Sequence, residues 1–193
     1  MINIGILAIQ GAFIEHKNVL ETIENINIFL IKTKNDIQNI DGLIIPGGES
    51  SVMKKFILQW DLYETLNKFI NIDKKPVFGT CAGSILLSNK VKTNNVIDNG
   101  LFQSVNIEIL RNGYGRQNAS YIEKINIEKI GVIDAIYIRA PIIKNLDNNC
   151  KILAYDKYNN PTLICYNNIL LCTFHPELSN NLIHKYFIIK YFL

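Results

Sequence analysis

Gly79 and Gly83 flank the tripeptide Thr80-Cys81-Ala82, directly after the apolar run Pro76-Val77-Phe78 and directly before Ser84-Ile85-Leu86-Leu87-Ser88. A strand, then G-x-C-x-G, then a helix is the cysteine form of the nucleophile elbow, a tight turn that lifts one reactive side chain clear of a sheet. This constrains the fold strongly, because a strand must feed straight into a helix and the two glycines must let them approach closely. A helix N-terminus behind Cys81 favours the thiolate, the reactive form of the side chain. Read alone, the string fits an inert core cysteine beside a turn equally well.

A second segment weighs against the inert reading. Phe174-His175-Pro176-Glu177 follows the apolar run Ile169-Leu170-Leu171-Cys172-Thr173. A cysteine nucleophile needs a base to take its proton and return it to the leaving group. That base needs a carboxylate to fix its tautomer and stabilise its cation. Cys81, His175 and Glu177 supply the three roles. His175 alone reads as a loop histidine; beside the elbow, the catalytic reading wins. His16 and His184 read as exposed helix residues without a catalytic role.

The order of elements gives the architecture. Strands are expected at 3–9, 27–31, 42–45 and 76–78, with helices at 12–24, 51–58 and 62–70 between them. The first of these helices carries apolar Phe13, Val19, Leu20 and Ile23, with Glu15, His16 and Lys17 exposed as a docking face. The second half is richer in strands, at 105–110, 121–127, 135–138, 151–155, 162–166 and 169–174. A last helix over 181–192 puts Leu182, Tyr186 and Ile189 on one face, and the Asn-rich stretch 91–100 reads as a loop. Near-continuous Ile, Leu and Val runs alternating with helices predict an α/β fold: an open, mainly parallel (mixed) twisted sheet with helices on both faces. A chain of 193 residues with 48% hydrophobic content suits one domain over 1–193, and no linker or repeat interrupts it. Sites in such sheets lie at the carboxyl ends of the strands. That rule brings together Gln10-Gly11, Gly47-Gly48-Glu49-Ser50, Cys81, Arg139-Ala140-Pro141 and His175.

Composition removes several function classes. The net charge is +3 and the lysines are scattered, so nucleic acid is not an expected partner. No apolar run reaches the roughly 18 to 20 residues of a membrane span. Cys81, Cys150, Cys165 and Cys172 form no C-x-x-C pair and no metal-ligand spacing, so no metal is expected and a reducing compartment is the simpler reading. Met1 to Ile9 lacks a basic leader and reads as a first core strand rather than a signal peptide. A soluble, cytoplasmic protein is expected.

Six collinear segments carry a resemblance to class I (triad) glutamine amidotransferases. They are Gly5 to Ala12, Leu43 to Ser51, Phe78 to Gly83, Arg111-Asn112 with Gly115-Arg116-Gln117, Ile138 to Pro141, and Phe174 to Leu178. The elbow and the His-Pro-Glu element belong to the wider class. The Q-G-A, R-N-x-x-G-R-Q and I-R-A-P segments are similar, more narrowly, to the glutaminase subunits of pyridoxal 5′-phosphate synthase. Only Gly113 departs from the pattern within these segments, where the family more often has a small polar residue or alanine.

The resemblance implies hydrolysis of L-glutamine to glutamate and ammonia, with the ammonia passed to a separate synthase subunit as protein partner. It implies no cofactor for this chain. It also implies that Gly47, Gly48, Glu49, Arg111, Ile138 and Arg139 bind glutamine, and that the chain is idle until the partner remodels the loop at Gln10-Gly11-Ala12. The oxyanion of an acyl transfer needs preorganised donors. Ala82 follows the nucleophile and Gly48 lies in a glycine turn; both are candidates, with Gln10 and Gly11 as the adjoining loop. Glu49 can equally cap the following helix. Rival readings are the glutaminase subunit of another pathway such as histidine biosynthesis, a cysteine-elbow protein of the DJ-1 kind, and a non-catalytic interaction subunit.

Overall fold

In the computed structural model, which describes residues 1–114 and 120–193, seven strands form the central sheet in the order β11-β12-β13-β4-β3-β1-β2. Their ranges are β1 Ile2–Leu7, β2 Ile26–Ile31, β3 Gly42–Ile45, β4 Val77–Thr80, β11 Lys151–Tyr155, β12 Pro161–Tyr166 and β13 Ile169–Cys172. Strands β2, β1, β3, β4 and β13 run parallel, and β12 and β11 continue the sheet antiparallel. The mixed, mainly parallel sheet expected from the sequence is therefore present.

Both faces are covered, and the strands show it by alternation. Leu43, Ile45, Val77, Ile169 and Leu171 face one core with α2 (Ser50–Gln59), α3 (Tyr63–Asn67) and α4 (Ala82–Leu87), contributing Met53, Ile57, Leu66 and Leu86. Ile44, Phe78, Leu170 and Cys172 face the other core with α1 (Phe13–Leu20) and α5 (Leu182–Phe192), contributing Leu20, Ile183, Phe187 and Ile188. Helix α5 thus buries a different face from the expected one: Ile189 is 59% exposed, while His184 and Phe187 are fully buried. Positions 184, 187, 188 and 191 form the i, i+3, i+4, i+7 stripe that packs on the sheet.

The strand at 135–138 extends to β9 (Gly131–Ile138), paired with β8 (Ser120–Ile127) in a separate hairpin. A third sheet, β10-β7-β5-β6, contains β5 (Ser88–Thr93), β6 (Val96–Asn99), β7 (Val105–Leu110) and β10 (Ile142–Leu146). The stretch 91–100 is therefore largely a hairpin, with Thr93 opposite Val96. β6 is exposed throughout, and its apolar Val96 and Ile97 stand side by side instead of alternating with polar residues, which is why the pattern reads as a loop.

At the elbow, β4 passes directly into α4. A Cβ on Gly83 would lie 2.1 Å from the Ile45 carbonyl oxygen, and one on Gly79 would lie 2.6 Å from Leu87 Cδ1. The close approach read from the two glycines is the observed one.

Candidate active site

Three adjacent parallel strands deliver the chemistry to one edge. Register pairs Ile45 of β3 with Gly79 of β4, and Cys172 of β13 with Thr80 of β4. The next residues along each strand are then neighbours: Gly47-Gly48 after β3, Cys81 after β4, and His175 after β13. The Cys81 N–H donates to the Cys172 carbonyl at 3.0 Å, which ties the elbow to the strand that leads to His175. His175 in turn donates its backbone N–H to Ile136 of β9 at 2.8 Å.

Cys81 sits at φ 45°, ψ −101°, a conformation that an L-residue holds only under strain. Its carbonyl accepts from Ser84 N–H at 3.1 Å and from Ser84 Oγ at 2.6 Å, which fixes the turn. Pro176 at the start of the short 3₁₀ turn Pro176–Leu178 has the preset φ that such a start favours. The turn folds Glu177 back so that His175 Nδ1 and Glu177 Oε1 are 2.7 Å apart. Cys81, His175 and Glu177 are 6%, 8% and 5% exposed, so all three sit in a largely dry environment.

Burial works against a charge on His175, but hydrogen bonds with Cys81 and Glu177 and the negative charge on both outweigh it, pushing its pKa up to about 10. Burial also opposes charge on Glu177, yet His16 and His175 facing the carboxylate hold it below its ordinary value. These directions suit a base that stays cationic beside a thiolate.

A cavity of about 340 Å³ opens over Cys81. Gly11, Gly47, Gly48, Glu49, Ala82, Arg111, Ile138, Arg139 and His175 line it, so nearly every candidate read from the sequence meets there. Ala12, Ser50 and Asn112, from segments already read towards the site, also line it, as does Ile85, which was not foreseen. Glu177 lies behind His175 and is not on the lining, and neither is Gln10. The Gln10 side chain turns away to accept from the Glu49 N–H at 2.9 Å, holding the loop rather than facing the cavity. Across the loop, Ala12 N–H donates to the Gly47 carbonyl at 2.9 Å, which fixes the Gly47-Gly48 peptide plane.

Glu49 takes the capping role weighed for it and lies on the cavity lining. Its Oε2 accepts from Val52 N–H at 2.9 Å, capping α2, and its Oε1 pairs with the Arg111 guanidinium. Arg111 also donates to Ser51 Oγ at 2.9 Å. Gly115-Arg116-Gln117 lie outside the described residues. Among the described residues, no group of three or more His, Cys, Asp or Glu is placed to hold a metal. Nor is any helix among the described residues long and apolar enough to cross a membrane.

His16 and His184 correct the sequence reading: both are fully buried, not exposed. His16 Nδ1 is 2.8 Å from His184 Nε2, and His16 Nε2 is 3.1 Å from Thr80 Oγ1 and 3.4 Å from Glu177 Oε2. With Glu15 and Lys17 half-buried, the expected docking face of α1 loses its histidine to the interior. Burial pushes both imidazoles down, against the pull of Glu177 and Glu15 on His16 and with the push of His175. Unfolding lets each regain a proton below about pH 6.5. Their contribution therefore makes stability fall as the pH drops through that value, by up to about 2.7 kcal/mol per pH unit for the pair. His175 works the other way, because it is already protonated in the fold and so gains on the unfolded chain as the pH falls. Urea unfolding at pH 7 and pH 5 should therefore show a loss smaller than the pair alone would give, and His184→Leu should lower the slope by up to about 1.4 kcal/mol per pH unit. An unchanged slope in that variant would place the titrating groups elsewhere.

Residues 6–192 match the SNO glutamine amidotransferase family. The chain belongs to this family. It is 39% identical over 189 residues to the pyridoxal 5′-phosphate synthase subunit PdxT of Francisella philomiragia, covering 97% of this chain and 98% of the relative. The protein of the same description from Clostridium kluyveri is 40% identical over 188 residues, covering 96% and 97%. A crystal structure described as a glutamine amidotransferase superposes with a TM-score of 0.87 at 30% identity, over 96% of this chain and 97% of that one. As a member of the SNO family, the chain has its elbow and its His-Pro-Glu element in a setting where the DJ-1 reading no longer competes.

Proposed function

We propose that this chain hydrolyses L-glutamine to L-glutamate and ammonia, as the glutaminase subunit of a pyridoxal 5′-phosphate synthase. The observation that carries the reading is the convergence of Cys81, His175 and Glu177 beneath one cavity, in a chain about 40% identical over nearly its whole length to proteins named as subunits of that synthase.

The Cys81 thiolate attacks the side-chain amide carbon of glutamine, forming a C–S bond and a tetrahedral oxyanion. The Ala82 N–H, at the first position of α4 with no carbonyl one turn back to take it, and the Gly48 N–H are the donors proposed for that oxygen. Collapse breaks the C–N bond as imidazolium His175 protonates the leaving nitrogen, releasing ammonia and leaving a γ-glutamyl thioester. His175, now neutral, takes a proton from water as it attacks the thioester. Glutamate leaves and the Cys81 thiolate returns. Glu177 keeps the His175 ring in register throughout.

At the amino-acid end, Glu49, Arg111, Ile138 and Arg139 form the rim. Arg139 has no carboxylate partner among the described residues, so it is the side chain proposed to meet the substrate α-carboxylate. Four cysteines without disulfides suit a reducing compartment such as the cytoplasm. The ammonia goes to a synthase subunit, whose docking at the Gln10 to Ala12 loop is expected to switch the site on.

The test is glutamate release by the purified chain, alone and mixed with a pyridoxal 5′-phosphate synthase subunit. Hydrolysis that rises at least tenfold with that subunit supports the full reading. Equal hydrolysis in both mixtures keeps the glutaminase and moves it to another pathway. No hydrolysis in either sinks the assignment.

A further inference from the structure

The catalytic carboxylate has two oxygens, and the triad uses only one. Glu177 Oε1 faces His175, while Oε2 is buried with no conventional hydrogen bond among the described residues. The group facing it is His16 Nε2, at 3.4 Å. Behind His16 stands His184, whose Nε2 is 2.8 Å from His16 Nδ1 and whose own Nδ1 has no hydrogen-bond partner among the described residues. Both rings pack edge-on to Phe78 of β4, at centroid distances of 6.2 Å and 5.5 Å.

Counting hydrogens settles the tautomers. The short nitrogen–nitrogen contact needs one N–H and one lone pair. If His16 carried its hydrogen on Nδ1, its Nε2 lone pair would face the carboxylate, and His184 would be left with a buried N–H on Nδ1. Two charged or polar groups would then lack a partner in a dry site. With the hydrogens on both Nε2 atoms, His184 donates to His16 Nδ1. His16 can then donate towards Thr80 Oγ1 and Glu177 Oε2. Only one lone pair, on His184 Nδ1, remains unused, and a bare acceptor is the lesser loss.

We propose that His16 is a positioning residue for the triad: its Nε2–H restrains the outer oxygen of Glu177, and His184 locks the tautomer that makes this possible. The inference rests on the glutaminase reading of Cys81, His175 and Glu177. Restrained at both oxygens, the carboxylate cannot rotate away from His175, so the imidazole ring stays aligned with Cys81. The contact of His16 with Thr80, the residue before the nucleophile, ties the same ring to the elbow strand. The ionisable groups around His16 are Glu15 on its own helix, Glu177 and His175 from the 3₁₀ turn, and His184 from α5. Both histidines stay neutral there because burial disfavours their charge, so neither competes with His175 for the carboxylate.

Three measurements test this, and the first two need neither substrate nor partner. The chain has three histidines, so two-bond ¹H–¹⁵N correlations of the imidazole rings distinguish them. Neutral Nε2–H tautomers are expected for His16 and His184 at pH 7.5; an Nδ1–H tautomer for His16 would overturn the proposal. The second is alkylation of Cys81 by iodoacetamide against pH, followed on the Cys81 peptide by mass spectrometry. His16→Gln keeps an N–H near the Nε2 position, whereas His16→Asn keeps one only near Nδ1.

The alkylation midpoint should move up by about one pH unit in His16→Asn and stay near wild type in His16→Gln, because loss of the carboxylate restraint weakens the imidazolium that supports the thiolate. In the glutaminase assay with a synthase subunit, kcat should fall roughly 10- to 100-fold in His16→Asn with KM little changed. Equal losses in both variants would show that His16 only fills space. If wild type hydrolyses no glutamine, the functional reading fails while the tautomer and alkylation results still decide this one.

Discussion

Cys81→Ala is expected to lower glutamine hydrolysis by at least about 10⁴-fold while leaving the protein folded, because loss of a nucleophile removes the thioester route as a whole. The backbone at this position supplies a control. Cys81 holds φ 45°, and alanine inherits that strain whereas glycine does not. Relief of an unfavourable left-handed conformation is worth roughly 1 to 3 kcal/mol. The extra freedom of glycine in the unfolded chain costs roughly 0.4 to 1 kcal/mol. Strain relief wins, so Cys81→Gly should be more stable than Cys81→Ala by about 1 kcal/mol, with both inactive. Single-turnover assays and urea unfolding of the pair separate the two roles. If either variant retains more than about a hundredth of wild-type hydrolysis, Cys81 is not the nucleophile.

Gly47→Ala should have the next largest effect, and on activity far more than on stability. A Cβ there would lie 2.4 Å from His175 Cε1, 2.9 Å from its Nδ1 and 3.2 Å from Cys81 Cβ. The backbone does not block it; the catalytic pair does. His175 must swing off its bond to Glu177 to make room, and a displacement of about 1 Å at a reacting group costs on the order of 10²-fold in rate. Gly83→Ala is the contrast, since its Cβ meets the Ile45 carbonyl oxygen at 2.1 Å, which is backbone of a central strand. It should destabilise by about 3 kcal/mol and lower the melting temperature by roughly 10 °C. A Gly47→Ala variant that keeps wild-type kcat would mean that His175 does not work from the position seen beside Gly47.

Much of this site was legible because its signals are local. The elbow glycines, the His-Pro-Glu spacing and the Gly47-Gly48 turn each follow a recognisable apolar strand, and the carboxyl ends of parallel strands share one edge. Arg111 came from the resemblance and Arg139 from the strand-end rule as well, and both line the cavity. Gln10 stands in the loop read beside the oxyanion position, but no local pattern fixes which way its side chain turns; it accepts from the Glu49 N–H. The β5–β6 hairpin was missed because its exposed strand has no apolar alternation. His16 could have been found: with Phe13, Leu20 and Ile23 it completes a stripe at 13, 16, 20 and 23. A histidine at a stripe position is a polar letter, however, and polar letters are placed outside by default.

The sequence by itself determined the mainly parallel α/β order and pointed to Cys81, His175 and Glu177 as candidate nucleophile, base and carboxylate, because each of these signals lies within a few positions of chain. Only the tertiary structure decided that His16 from α1 and His184 from α5 meet behind Glu177, 168 residues apart along the chain and 2.8 Å apart in space. No local pattern encodes that meeting. It follows from packing α1 and α5 side by side on one face of the sheet over Phe78, where two buried polar rings satisfy each other only because both helices are already fixed by their apolar stripes.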